Sequence, residues 1–234
     1  MGQYYYPICL TTSEWLYSHD YGNGLKLMEH SWIGNAFVGR IMKLLTKGNK
    51  WYKSRIVWCG DYAEKVIGED NLYSMCYDEK GEHEEDTKIK LFRKIKPRFL
   101  LKQAEQKKAI IVNHTKKEYV KLSDCEPEKN ESYNKGWVIN PLPLLTALGN
   151  GRGGGDYHGS DMGLVGRWAC DEISVEFDER EINGFTKLET NFNESEKFEF
   201  DETNNEAEKE AYSKIKKWLK NIGVKKRLLL AGLE

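Results

Sequence analysis

Three aspartate–tyrosine pairs sit in polar, glycine-flanked settings: His19-Asp20-Tyr21-Gly22, Cys59-Gly60-Asp61-Tyr62 and Gly155-Asp156-Tyr157-His158. The third closes a glycine-rich run, Gly149-Asn150-Gly151-Arg152-Gly153-Gly154-Gly155. Glycine loses more backbone entropy on folding than any other residue, so a core gains nothing from such a run. Aspartate, histidine and arginine on glycine-supported loops are the usual material of a polar site.

Two kinds of chemistry suit these residues. Successive N–H groups of a glycine loop, here around Gly151 and Gly154, form a concave anion nest, and Arg152 adds positive charge. Asp156 and His158 alternate, which places both on one face of an extended segment. With Asp61 they are the candidates for acid–base or metal-assisted hydrolysis. Asp20, Tyr21, Tyr62 and Tyr157 would wall the same hollow by stacking and hydrogen bonding. The competing reading is that each aspartate closes its own turn. Gly149-x-Gly151-x-x-Gly154 also spells a dinucleotide fingerprint, but its context argues against one. Pro-Leu-Pro-Leu-Leu before it is a poor parallel strand, and Asp156-Tyr157-His158-Gly159 after it opens no apolar helix.

A further candidate lies in the apolar-periodic stretch 25–46, where Leu25, Met28, Trp32, Ala36, Phe37, Ile41, Leu44 and Leu45 recur at helical spacing. On that wheel Glu29 falls among Leu25, Trp32, Ile33 and Ala36, with His30 beside the stripe near Phe37. A carboxylate on an apolar face must be paired, neutralised or turned toward a cavity. Glu29 and His30 therefore either line the pocket or tie down a loop, Glu29 by accepting backbone N–H groups.

The elements that must position these groups are mostly strands. Residues 3–10 read as a strand with Pro7 near an edge, and 52–59 as a strand ending at the Asp61 loop. Residues 109–122 read as a hairpin around the polar turn 113–117. A short strand is expected at 137–139, and another at 165–177. Pro141 and Pro143 argue against a regular helix or central strand between them. Residues 205–222 form the final helix. Its stripe is Ala207, Ala211, Ile215, Trp218, Leu219 and Ile222, with glutamates at its start and lysines at its end, as the helix dipole favours. Two separated helices and many strands predict an α+β fold with a mostly antiparallel sheet, an amphipathic helix near the N-terminus and a C-terminal helix.

The 234 residues suit one domain spanning 1–234, with the charged block 78–108 and the acidic segment 178–203 as insertions or loops. Apolar content of 39% supports a real core, and a net charge of −1 favours neither nucleic acid nor acidic substrates. That balance hides a local dipole, because acidic residues 78–86 precede a basic run over 88–108. The basic run, with Phe92 and Phe99, could bind nucleic acid. A solvated face paired with the acidic run is the favoured reading. No stretch approaches a membrane span, and the first residues carry no basic-then-apolar signal. The five cysteines are widely spaced, without a Cys-x-x-Cys pair, as expected of reduced thiols in a cytoplasmic protein.

The segments MGQYYYP, EWLYSHDYGNGLKLMEHSW, RIVWCGDYAE, IVNHTKKEYV, NPLPLLTALGNGRGGGDYHGSD and VGRWACDEISVEF, in this order, resemble a group of uncharacterised cytosolic proteins from bacteria and their phages. The resemblance covers most of residues 1–177. It implies a bacterial or phage setting and carries over no catalytic residue or cofactor.

These observations lead to an expected small polar or anionic ligand, nucleotide-like, held at the glycine loop. The alternatives are a hydrolase using Asp61, Asp156 and His158, and a phage-encoded protein-binding inhibitor of a bacterial defence or nucleic-acid enzyme.

Overall fold

A computed structural model describes residues 3–78, 89–127, 137–149, 157, 159, 161–192 and 205–222. Within them the chain is an α+β fold built on one ten-stranded sheet with four α-helices. Two strands form its centre, β1 (Tyr5–Cys9) and β3 (Ser54–Gly60), antiparallel over five registered pairs from Tyr5↔Gly60 to Cys9↔Ile56. Their side chains alternate between two apolar layers. Tyr5, Cys9, Ile56 and Trp58 belong to one, and Tyr6, Ile8, Val57 and Cys59 to the other. Strands buried on both faces read as unbroken apolar runs rather than alternating ones, as YYPIC and IVWC do.

On one side of β1 lie β2 (Glu14–Trp15), β5 (Phe92–Lys94) and the edge strand β4 (Cys76–Tyr77). On the far side of β3 come β9 (Glu172–Glu176), β6 (Ile110–Asn113), β7 (Glu118–Lys121) and the edge strand β10 (Thr186–Lys187). The short β8 (Ala147–Leu148) pairs with the end of β3. The longer pairings are antiparallel, and each parallel pairing involves only two residues of each strand. The charged block thus contributes β5, and the stretch after residue 178 contributes β10.

Helices cover both faces. α1 (Ala36–Leu44) packs Phe37, Val38, Ile41 and Met42 into the layer that holds Trp58. Asn35 caps it, its Oδ1 accepting from the N–H groups of Phe37 at 2.8 Å and Val38 at 3.1 Å. α4 (Asn205–Asn221) covers the opposite face with Ala211, Ile215, Trp218 and Leu219. Its Trp218 stacks on Phe92 of β5 at 5.7 Å.

The structure departs from the sequence expectation in five places. The α-helix starts at residue 36 rather than 25. Gly34 has φ +101°, and Ile33 spends its N–H on Val138 O, so the backbone before Asn35 is not free to be helical. Pro141 and Pro143 do not forbid a helix but begin one, α3 (Pro141–Leu145). First-turn residues need no intrahelical N–H partner, and Asn140 caps the turn by accepting from Leu142 N. The region 137–139 forms only an isolated bridge, Ile139↔Trp32, and 165–171 is a string of turns preceding β9. Pro7 sits in a central strand. Leu16 N donates to Pro7 O just past the short β2, and the missing proline N–H faces that frayed end. The remaining helix, α2 (Gln103–Gln106), is a single turn.

Candidate functional site

The parallel pairing of β3 with β8, Trp58↔Ala147 and Cys59↔Leu148, decides where two of the candidate loops go. Parallel strands end at the same edge, so Gly60-Asp61-Tyr62 and Gly149 leave the sheet side by side. β1 runs the other way and brings its start, Gln3 and Tyr4, to that edge.

Both glycines are closely approached there by side chains. A Cβ on Gly60 would lie 2.5 Å from Gln3 Oε1, and one on Gly149 would lie 2.5 Å from the same oxygen and 2.8 Å from Tyr5 Oη. Gln3 and Tyr5 are buried, and Tyr5 Oη donates to Gln3 Oε1 at 3.0 Å, so the obstacle is itself held in place. Asp61 is fixed from two sides. Its Oδ1 accepts from Tyr4 N at 3.1 Å, its N–H donates to Tyr4 O at 3.0 Å, and Asn71 Nδ2 donates to its carbonyl. Burial raises its carboxyl above the ordinary value despite the Tyr4 N–H. Tyr4 and Tyr62 on either side are about half exposed.

Tyr212 of α4 closes this edge. Its hydroxyl accepts from Glu64 N at 2.6 Å and makes a long 3.5 Å bond to Gly149 O, joining the Asp61 turn, the start of the glycine run and α4. Beside it opens a groove of about 540 Å³. Lys209, Lys216, Lys217 and Lys220 line it, opposed by Glu64 and Glu208, an excess of two positive charges. With Ser213, the lysines fall at i, i+4, i+7, i+8 and i+11, one face of the helix adjoining its apolar stripe. The lysines at the end of this helix, read from sequence as dipole partners, thus also make a surface. Their spacing from Lys209 onward was the available signal. Tyr212, Gln3 and Tyr4 carried none.

The other candidates are placed as follows. Asp20 and Tyr21 lie in a 3₁₀ turn, Ser18–Tyr21. Asp20 faces Lys96 at 3.5 Å and Lys94 at 3.9 Å. Tyr21 donates to Pro97 O at 3.3 Å under the Arg40 guanidinium, 4.3 Å from the ring centroid, and burial pushes its hydroxyl up to about 12. Glu29 is exposed in a 3₁₀ turn, its Oε2 accepting from Lys26 N at 2.9 Å, rather than lying in a helical apolar stripe. His30 is fully buried between Gly24 O and the Trp58 indole. Tyr157 is buried and donates to Phe192 O at 3.1 Å. Gly151, Arg152, Gly154, Asp156 and His158 lie outside the described residues. Among the described residues, no hydrogen bond, ion pair or ring contact joins Asp20, Tyr21, Glu29 or His30 to Asp61, Tyr62 or Tyr157.

A second polar cluster has serine and histidine in contact. His114 Nε2 lies 2.8 Å from Ser174 Oγ, which donates to Glu176 Oε1 at 2.6 Å. With the hydroxyl proton committed to Glu176, His114 must donate through Nε2 and cannot serve as a base toward Ser174. Ser174 is fully buried. The chain of bonds is a satisfied structural network. Among the described residues no group of three or more His, Cys, Asp or Glu side chains is disposed to hold a metal ion.

No helix among the described residues is long and apolar enough to cross a membrane. No family model, curated protein or solved structure matches the chain.

Proposed function

We propose that the chain binds a small anionic ligand of nucleotide size at the edge where β3 and β8 end. The observation that supports this most directly is the lysine-lined groove of α4, fastened by Tyr212 to the Asp61 turn and to Gly149. Lysine ammonium groups suit phosphate oxygens as mobile point charges. Tyr4 and Tyr62 offer aromatic surface beside Asp61, whose carboxylate would accept a hydrogen bond from a polar group of the ligand. The Gly149–Gly155 run, read from sequence as an anion nest with Arg152, begins at this groove.

Calorimetric titration with ATP, inorganic pyrophosphate and adenosine tests the reading. ATP and pyrophosphate should bind, adenosine should bind much more weakly, and Lys216→Ala with Lys217→Ala should weaken ATP at least tenfold. Absence of heat with both anions, or ATP affinity unchanged in the double variant, overturns it. A hydrolytic version would use Asp61 with Asp156 and His158. Its support among the described residues is the raised Asp61 carboxyl, and phosphate release on incubation with ATP, abolished by Asp61→Asn, is its test.

A further inference from the structure

The most exposed large apolar side chain described is Phe99, at 78%. It belongs to the segment between β5 and α2, away from the α4 groove in sequence and on the outside of the molecule. Its neighbours are cations: Lys96, Arg98 and Lys102 are exposed, as are Lys107 and Lys108 just beyond α2. A lone exposed aromatic is by itself ordinary, but here it lies in a stretch whose neighbours in sequence are exposed cations, the pairing of residue types that single-strand binders use.

Part of this charge is consumed internally. Arg93 lies 3.7 Å from Glu14, and Lys94 and Lys96 share Asp20. Lys94 also meets Asp78, the last described residue before the acidic run, at 3.7 Å. Arg98, Lys102, Lys107 and Lys108 make no ion pair among the described residues. Nor do the backbone N–H groups of Lys96, Arg98, Phe99 and Leu100 have a protein acceptor among them. The segment is nonetheless anchored at both ends, by Ile95 N to Trp15 O and Leu101 N to Gly39 O at 2.9 Å each, and by Tyr21 to Pro97 O. It is a fixed strip of donors and positive charge with one aromatic face on top.

We propose that residues 93–108 form a binding strip for single-stranded nucleic acid, with Phe99 stacking on a base and Arg98, Lys102, Lys107 and Lys108 contacting phosphates. Cations tracking a backbone around an aromatic platform are the elements of sequence-tolerant single-strand binding. A duplex hides its base faces and would leave Phe99 unused. A lipid surface needs a broader apolar patch than Phe99 provides, since Pro97 and Leu100 beside it are partly buried. The strip shares no residue with the lining of the proposed small-ligand groove, so each is tested by its own variants.

Fluorescence anisotropy of a labelled oligo(dT) strand, titrated with the full chain at several salt concentrations, tests the proposal. Binding should weaken with salt, log K falling by about 0.7 per log unit of salt for each phosphate contact. Phe99→Ala should weaken binding about tenfold with little change in that slope. Replacing Arg98, Lys102 and Lys107 together by alanine should flatten the slope. Lys216→Ala with Lys217→Ala should weaken oligo(dT) binding far less than the replacement of Arg98, Lys102 and Lys107. All are exposed positions, and unchanged melting temperatures would confirm that the variants are folded. No binding at low salt, indifference to Phe99→Ala, equal affinity for the matching duplex, or binding to anionic vesicles in place of oligo(dT) would each overturn it.

Discussion

The indole N–H of Trp58 donates to Nε2 of His30 at 3.1 Å, and this bond sets the state of the imidazole. An indole only donates, so Nε2 must be an acceptor and the ring proton sits on Nδ1, 3.3 Å from Gly24 O. Protonating Nε2 would place two donors face to face in a dry layer between Phe37 and Trp58.

Burial accordingly lowers His30 from 6.5 to about 4 in the folded chain. In the unfolded chain it titrates near its ordinary value, about 6.5. The folded state therefore refuses a proton that the unfolded state accepts. Stability from this group is intact above pH 6.5 and is lost progressively as pH falls toward 4, by on the order of 3 kcal/mol. His114, also lowered to about 4 chiefly by burial, adds a loss of the same sign, discounted because the residue is partly exposed. Urea midpoints measured from pH 7.5 to 4.5 should fall across this window. His30→Gln should lower the midpoint at pH 7.5 and flatten the slope, leaving the part due to His114. An unaltered slope in His30→Gln would show that His30 does not titrate as described.

Tyr212→Phe should cost about 1–2 kcal/mol, because Glu64 N–H loses its acceptor at a partly buried position. The same change removes the link to Gly149 O. It should therefore weaken ATP binding in calorimetry more than its small loss of stability implies. A variant that is destabilised but binds ATP like the parent would make Tyr212 a structural tie only.

The parts of this arrangement that were legible in the sequence are those with a period or a turn signal. The two central strands, the hairpin β6–β7 and the stripe of α4 follow from alternation, a polar turn and helical spacing. What was not legible depends on contacts with no period. A two-residue parallel pairing such as β3 with β8 leaves no pattern, yet it sets Asp61 beside Gly149. The spacing of Leu25 and Met28 with Trp32 imitates a helix. Those side chains are satisfied by an irregular segment whose backbone bonds to residues 138–140. Proline read as a helix breaker was a helix starter, because position within the first turn, not residue type, decides the cost.

Glu14 is a carboxylate that the sequence did not single out. It is 2% exposed on the short strand β2 and accepts from Trp51 Nε1 at 3.0 Å, Thr12 Oγ1 at 2.9 Å and Lys50 Nζ. Burial opposes its ionisation, but these bonds outweigh it and hold the carboxyl below its ordinary value. Glu14→Ala should cost about 3 kcal/mol, since it strips the acceptor from a fully buried indole and leaves a void. Glu14→Gln keeps an acceptor and should cost less. Thermal melts of both variants check the order, and equal losses would mean that charge, not the acceptor, is what matters.

Gly149→Ala is the sharpest test of the site's floor. Its Cβ would meet Gln3 Oε1 at 2.5 Å and Tyr5 Oη at 2.8 Å, so one or both of these buried side chains would have to shift. The loss should be about 1–3 kcal/mol. Gly60→Ala meets the same Gln3 oxygen at 2.5 Å and should behave similarly. If Gln3 is the obstacle, then Gly149→Ala should cost less in a Gln3→Ala background, and the coupling in that double-mutant cycle should exceed about 0.5 kcal/mol. Additive losses would place the obstruction at Tyr5 instead. Gly48→Ala is the control. Its Cβ would meet nothing within 4 Å, so its cost is that of the left-handed backbone at φ +80° alone, about 1 kcal/mol, and should not couple to Gln3.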